Sequence, residues 1–215
     1  MTVNPVLFGQ WYTDPFCSWS FAAEKAIQAF QDHFGDRLRL EHRLFVLYRD
    51  LDLFLRNHHL EHPRDFAPKI QKVAQATGVP MTAKGWESGQ VPQTTETCCL
   101  FVKAAQIIDP ALGERFLRKL RVLAFQEGKN IGDKSVLLSA AQDVGIKKDL
   151  LESTLASSAT AEALGRDNEM ARSEGVTVRP TLILANSGGD RVFIGGLRNS
   201  DLFILAGEVL IQESA

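Results

Sequence analysis

The sequence predicts an α/β protein in which a β-α-β unit at the start and a β-β-α unit at the end are separated by a large all-helical insertion. Three observations carry this. Strand-like runs at Val6 to Tyr12 and Leu38 to Val46 bracket a stretch with helical spacing. From about Asp50 to Gly175 the chain shows almost only helix punctuation. Strand signals then return at Thr181 to Leu184 and Arg191 to Gly195, followed by one more helix.

The first run is apolar and aromatic and stops at Thr13-Asp14-Pro15, as a buried strand ending in a turn does. After it, Ala23, Ile27, Phe30 and Phe34 recur at helical spacing up to Gly35, which predicts one helix starting at Cys17. Leu38, Leu40, His42, Leu44 and Val46 then alternate with Arg39, Glu41, Arg43 and Phe45, a second strand. In the insertion, Asp109-Pro110, Asp133 and Thr160 are candidate helix starts, and Lys84 to Gly89 reads as a loop carrying Trp86. Ser187-Gly188-Gly189-Asp190 is the turn of a terminal hairpin. Asn199 or Ser200 caps a last helix with Leu202, Leu205, Val209 and Leu210 as its apolar set.

The length of 215 residues suits one large domain or a small domain with an insertion, divided here as 1–50 plus 175–215 around 51–174. A net charge of −2 gives no electrostatic reason for nucleic acid or an acidic membrane surface as partner. Met1 to Pro5 shows no basic segment leading into a long apolar stretch, so the expected location is cytoplasmic. Three cysteines, two of them adjacent, are too few for a disulfide framework and read as free thiols.

The chemistry points to Cys17. A thiol is nucleophilic only as thiolate, and a helix start offers that anion unpaired N–H groups and the positive end of the dipole. The expected consequence is a lowered pKa, helped by a hydrogen bond from Ser20 Oγ. Ser20 stands where a redox pair would place its second cysteine, so resolution within the motif is chemically impossible. Pro180 precedes the third strand, where a cis bond would free neighbouring backbone for an extended substrate. Arg179 adds charge if it faces the sulfur; solvation is the plainer expectation. Trp19 on the exposed first turn is the residue most apt to touch a ligand, with Ser18 and Thr181 beside it.

The element order and these residues resemble the DsbA family of thioredoxin-fold proteins, in its cytoplasmic FrnE-like branch. Tyr12-Thr13-Asp14-Pro15-Phe16-Cys17-Ser18-Trp19 is similar to the branch signature, and Gly175 to Thr181 to its cis-proline segment. Cys99 to Ala105, Phe116-Leu117-Arg118 and Glu127 to Ile131 resemble its helical lid. The resemblance implies Cys17 as attacking thiol and Pro180 as cis-proline in a disulfide oxidoreductase or isomerase. Ser20 departs from the pattern and makes Cys17 a single thiol, to be resolved by an external thiol such as glutathione acting as co-substrate, with no tightly bound cofactor. Thiol or disulfide substrates, protein or small molecule, are the expected partners, with a homodimer left open. A serine here also resembles the kappa-class glutathione transferases and hydroxychromene-carboxylate isomerases, and a bacterial protease adaptor on this scaffold provides a binding-module alternative.

Among the other candidates, Cys98 reads as core. Cys99, about 100° round the helix near Glu96 and Lys103, is the one sulfur that a closing lid would bring to Cys17. His58, His59 and His62 read as a solvated loop rather than a metal site, and no metal is expected. His33 and His42 are a surface and a strand residue without evident partners.

Overall fold

The structure is a computed structural model and describes residues 6–213. β1 (Leu7–Thr13) is central, with Leu7, Trp11, Tyr12 and Thr13 buried and Phe8 exposed. It pairs in parallel with β2 (Leu38–Leu44), in register from Leu7 with Leu38 to Thr13 with Leu44. On its other side it pairs antiparallel with β3 (Thr181–Asn186), which forms the predicted hairpin with β4 (Arg191–Gly195). The sheet order is β2-β1-β3-β4.

A parallel pair needs a crossover. Where one helix is predicted, two form: α1 (Ser18–Ala22) and α2 (Glu24–Phe34), separated by Ala23 at φ −81 and ψ −6. The bend lets α1 pack on helices of the insertion while α2 packs against the sheet and the last helix. The insertion then supplies α3 (Leu51–Asn57), a 3₁₀ turn (Pro63–Phe66), α4 (Ala67–Thr77), α5 (Lys84–Glu87), α6 (Glu96–Ile108) and α7 (Pro110–Phe125). It ends with α8 (Lys134–Asp143), α9 (Lys148–Ala156) and α10 (Ser158–Ser173), and α11 (Ser200–Glu213) closes the described chain.

The caps follow ordinary helix chemistry. Asp50 accepts from Leu53 N at 2.6 Å, Asp109 from Leu112 N at 2.9 Å and Asn199 from Leu202 N at 3.2 Å. Two expectations change. α10 begins before Thr160, capped by Ser157, and Thr160 turns inward to donate to Thr154 O at 2.7 Å. The stretch read as a loop coils into α5, which buries Trp86.

One face of the sheet packs on α2 and α11 through Leu7, Trp11, Phe30, Phe34, Leu184 and Phe203. The helices of the insertion share a larger core that takes in Phe16 and Phe21 from around Cys17 and Leu44 and Val46 from the end of β2. Residues flanking the thiol are therefore held by the insertion as firmly as by the sheet. In α11 the apolar set differs from expectation: Phe203, Ala206, Gly207 and Leu210 face in, while Leu202, Leu205 and Val209 are exposed. Hydrophobic residues lie all round this helix, so spacing alone does not single out the buried face.

The insertion also covers the open edge of β2, which would otherwise present unpaired backbone. Gln106 Nε2 donates to His42 O at 3.0 Å, Leu44 N to Asp167 Oδ2 at 2.9 Å, and Asn168 bridges Leu44 O and Val46 N. Buried Asp167 is neutralised by Arg43 at 3.0 Å and by Lys103.

α6 and α7 approach closely at Gly113, where a Cβ would lie 2.5 Å from Gln106 Cγ and 2.8 Å from its backbone. Gly113→Ala is expected to force the pair apart at a cost of about 2–3 kcal/mol, read as a fall in Tm of about 5–10 °C in a thermal melt. An unchanged melt would mean that the pair yields freely at this point. No helix among the described residues is long and apolar enough to cross a membrane.

Candidate active site

The turn Asp14-Pro15-Phe16 carries the chain from β1 into α1. Asp14 Oδ1 accepts from Phe16 N at 2.7 Å and Asp14 O from Cys17 N at 3.2 Å, which fixes Cys17 as the N-cap of α1 in extended geometry. Across from it the Arg179-Pro180 peptide bond is cis, and Cys17 Sγ lies 3.7 Å from Arg179 O, positioned to donate to it. Two segments 162 residues apart in sequence thus meet at one sulfur.

Cys17 is only 5% exposed, and that decides its ionisation. Burial pushes the thiol above its ordinary value, against the downward pull of the Ser20 hydroxyl and N–H and of the Arg179 charge, while Asp14 adds to the rise. The expected lowering is therefore corrected: the helix start and Ser20 act in the anticipated direction, and desolvation outweighs them. Ser20 Oγ is buried without a hydrogen-bond partner, which leaves it for a thiolate at Cys17. Alkylation of Cys17 by iodoacetamide should accordingly rise at higher pH than for an ordinary free thiol, and higher still in Ser20→Ala. A profile below the ordinary thiol range, measured by mass spectrometry of the labelled peptide, would sink this account.

Arg179 is not solvated. Its Nε donates to Phe45 O at 2.5 Å, its Nη2 to Val46 O at 2.6 Å, and its guanidinium lies 3.7 Å from the Phe45 ring centroid. The half-buried cation is pinned to the segment just after β2, and its charge acts on Cys17 and Asp14.

Asp14, which the sequence marks only as a turn residue, is part of the site. Completely buried, it accepts from Phe16 N through one oxygen. Through the other it accepts from Leu47 N at 2.8 Å, Thr95 Oγ1 at 2.7 Å and Cys99 Sγ at 3.4 Å. The nucleophile's turn, the segment after β2 and the start of α6 are tied to one carboxyl group. Burial raises its pKa, partly opposed by these hydrogen bonds and by Arg179. Arg121 of α7, also unremarked in the sequence, supports the same turn from beneath: it donates to Thr13 Oγ1, to Asp14 O at 3.4 Å and to Glu24 at 2.9 Å.

A cavity of about 650 Å³ opens over Cys17 between this turn and the insertion. Ser18 and Trp19 line it, Trp19 being 42% exposed, and Arg179 contributes to its wall. Ser20, Pro180 and Thr181 are buried behind it; Thr181 Oγ1 donates to Val178 O at 2.9 Å and does not face the opening. Cys99 is as buried as Cys98, because α6 is covered on nearly every side. Its sulfur is turned to Asp14, Cys98 Sγ donates to Thr95 O at 3.0 Å, and all three cysteines are free thiols.

The far wall comes from residues whose role in the cavity the sequence did not announce. Phe54, Phe66 and the α4 positions Lys69, Lys72, Val73 and Ala76 line it, with Trp86 between them and Phe16. The spacing 69, 72, 73, 76 is a helical face, the one available signal. His58, expected in solvent, stands on this wall with its ring 4.5 Å from Phe54, and burial and Lys69 lower its pKa. Among the described residues no group of three or more His, Cys, Asp or Glu side chains is arranged to hold a metal ion.

Residues 11–203 match a family model described as thioredoxin. The ClpXP adapter protein SpxH of Halalkalibacterium halodurans is 27% identical over 183 residues, 83% of this chain and 58% of that protein, so the chain spans little more than half of this curated relative. Among solved structures, a candidate protein disulfide isomerase from Nitrosomonas europaea superposes with a TM-score of 0.78 at 17% identity, covering 98% of this chain and 100% of that one. The cytosolic disulfide reductase DsbM of Pseudomonas aeruginosa superposes at 0.76 with 18% identity, over 95% and 98%. DsbM has also been solved with GSH, and that structure superposes at 0.74. At these identities the structures share a fold with this chain. The family match runs from the strand that leads to Cys17 into the last helix, across the entire insertion, and it establishes that the chain belongs to the thioredoxin family.

Proposed function

We propose that this chain is a thiol-disulfide oxidoreductase or isomerase working through the single thiol of Cys17, with an external thiol such as glutathione completing the cycle. The observation that carries this is a cysteine at a helix start, facing a cis proline at the foot of a cavity, with Ser20 where a resolving sulfur would stand. The Cys17 thiolate attacks one sulfur of a substrate disulfide, the S–S bond breaks, and the second sulfur leaves as thiolate. A thiolate from solution then attacks the mixed disulfide, forms a new disulfide with the substrate-derived sulfur and releases Cys17. One substrate sulfur is thereby released as thiol while the other is carried in a disulfide with the external thiol. A second external thiol attacks the external-thiol sulfur of that disulfide, frees the substrate and leaves as the oxidised disulfide, which completes the two-electron reduction.

A raised Cys17 pKa makes this sulfur a poorer leaving group, which slows its release from a mixed disulfide. A disulfide reductase of this fold, DsbM, has been solved with GSH, which supports glutathione as the external thiol. Ser20→Cys tests the reading: the pre-reduced variant should reduce one insulin disulfide per chain without added glutathione, ending with a disulfide between Cys17 and the introduced sulfur, while the pre-reduced wild type stops at a mixed disulfide until glutathione is added. Wild-type turnover that ignores glutathione, or a Ser20→Cys variant with no gain, would count against a single-thiol cycle.

A second reading, a non-catalytic adaptor, draws on the name of the curated relative and on the apolar lining of the cavity. It requires that partner capture survive in Cys17→Ala, whereas capture through a mixed disulfide disappears in that variant and on adding reductant.

A further inference from the structure

The cavity over Cys17 carries a charge that the chain as a whole does not. The protein has a formal net charge of −2, yet Lys69, Lys72 and Arg179 line this opening and no carboxylate does. The lysines that form ion pairs among the described residues are 103, 119, 129 and 134; Lys69 and Lys72 are not among them. Both are exposed on the α4 face that forms the far wall, and Lys69 Nζ stands 5.8 Å from the centre of the Phe66 ring. Below them the floor is a packed run of rings. Phe66 stacks on Trp86 at 4.5 Å and Trp86 on Phe16 at 5.3 Å, which brings the floor to the residue before Cys17, and Phe125 backs Phe16 at 5.6 Å from outside the cavity lining. Rings already stacked on one another form a surface that is ordered before a ligand arrives, which lowers the ordering cost of binding.

We infer that this cavity binds a small amphipathic anion, its apolar body on the ring floor beside Cys17 and its carboxylate or equivalent group at Lys69 and Lys72. The volume of about 650 Å³ falls in the range of small-molecule sites rather than of extended protein grooves. Apolar burial supplies the affinity, and the unpaired lysines at the mouth select an anionic end. Resting on the proposed function, the inference adds the substrate class: a thiol or disulfide with an apolar substituent and an anionic terminus.

Binding is separable from the sulfur chemistry and is tested with a ligand that has none. Isothermal titration calorimetry should show decanoate binding about tenfold more tightly than decanol, a preference that shrinks as salt is raised. Lys69→Glu/Lys72→Glu, two changes at exposed positions, should abolish the preference while leaving decanol binding in place. Ala76→Trp, which fills the cavity from an exposed helix position, should remove binding of both. Equal affinity for decanoate and decanol, a preference that persists in the glutamate variant, or binding that ignores Ala76→Trp overturns the inference. So does an apolar acidic peptide that binds where decanoate does not. The same titration in Cys17→Ala separates the two readings: decanoate bound by a protein whose wild type shows no thiol turnover would retain this site and remove the oxidoreductase.

Discussion

Cys17→Ala is expected to lower turnover of a glutathione mixed disulfide by about 10³-fold or more, to the uncatalysed rate between glutathione and substrate. Loss on this scale follows from where the other sulfurs lie. Cys98 and Cys99 have no exposed surface, and their Sγ atoms are committed to Thr95 O at 3.0 Å and Asp14 Oδ2 at 3.4 Å. Burial raises the pKa of both thiols, so neither supplies a substitute thiolate. The comparison is clean because Cys17 donates only a long contact of 3.7 Å to Arg179 O, and the turn around it is held by Asp14. Circular dichroism should therefore be unchanged while steady-state reduction disappears. Turnover within tenfold of wild type would transfer the chemistry to another thiol.

Asp14→Ala should be the most damaging substitution for stability, costing about 3–5 kcal/mol in urea unfolding. The carboxyl takes hydrogen bonds from Phe16 N, Leu47 N, Thr95 Oγ1 and Cys99 Sγ; alanine strands Phe16 N and Cys99 Sγ and leaves Leu47 N and Thr95 Oγ1 with only their longer contacts to Thr95 Oγ1 and Tyr48 O. Asp14→Asn keeps size and one acceptor and should cost less. It also removes a negative charge that raises the Cys17 pKa, so alkylation in Asp14→Asn should shift to lower pH. The pH dependence of stability has a definite sign. Because the native pKa of Asp14 is raised, the folded state holds this proton more tightly than the unfolded chain does. The contribution is complete below the ordinary carboxylate range and is lost as pH rises through the native value. Wild-type stability should thus decline relative to Asp14→Asn as pH rises from about 4. An alanine variant within about 1 kcal/mol of wild type would mean that water replaces the lost acceptor.

Features set by local chemistry were legible in the chain. The strands, the caps at Asp109 and Asn199, the hairpin turn and the helix start at Cys17 all appear where spacing and turn residues put them. Features set by what lies opposite were not. The exposed face of α11 and the burial of Cys99 depend on which neighbour covers a helix that is apolar on several sides. Arg179 read as solvated because its partners, Phe45 O and Val46 O, are more than 130 residues away in sequence.

By itself the sequence determined that a thiol opens a helix after a strand, that its would-be partner is a serine, and that a proline precedes the third strand. Those are matters of residue identity and short-range spacing. Only the tertiary structure decided the ionisation of that thiol, because desolvation depends on every group packed around it. It likewise placed Arg179 and Asp14 about the sulfur and built the cavity's far wall from α3, α4 and α5. Those segments meet Cys17 only when the insertion folds back over the sheet.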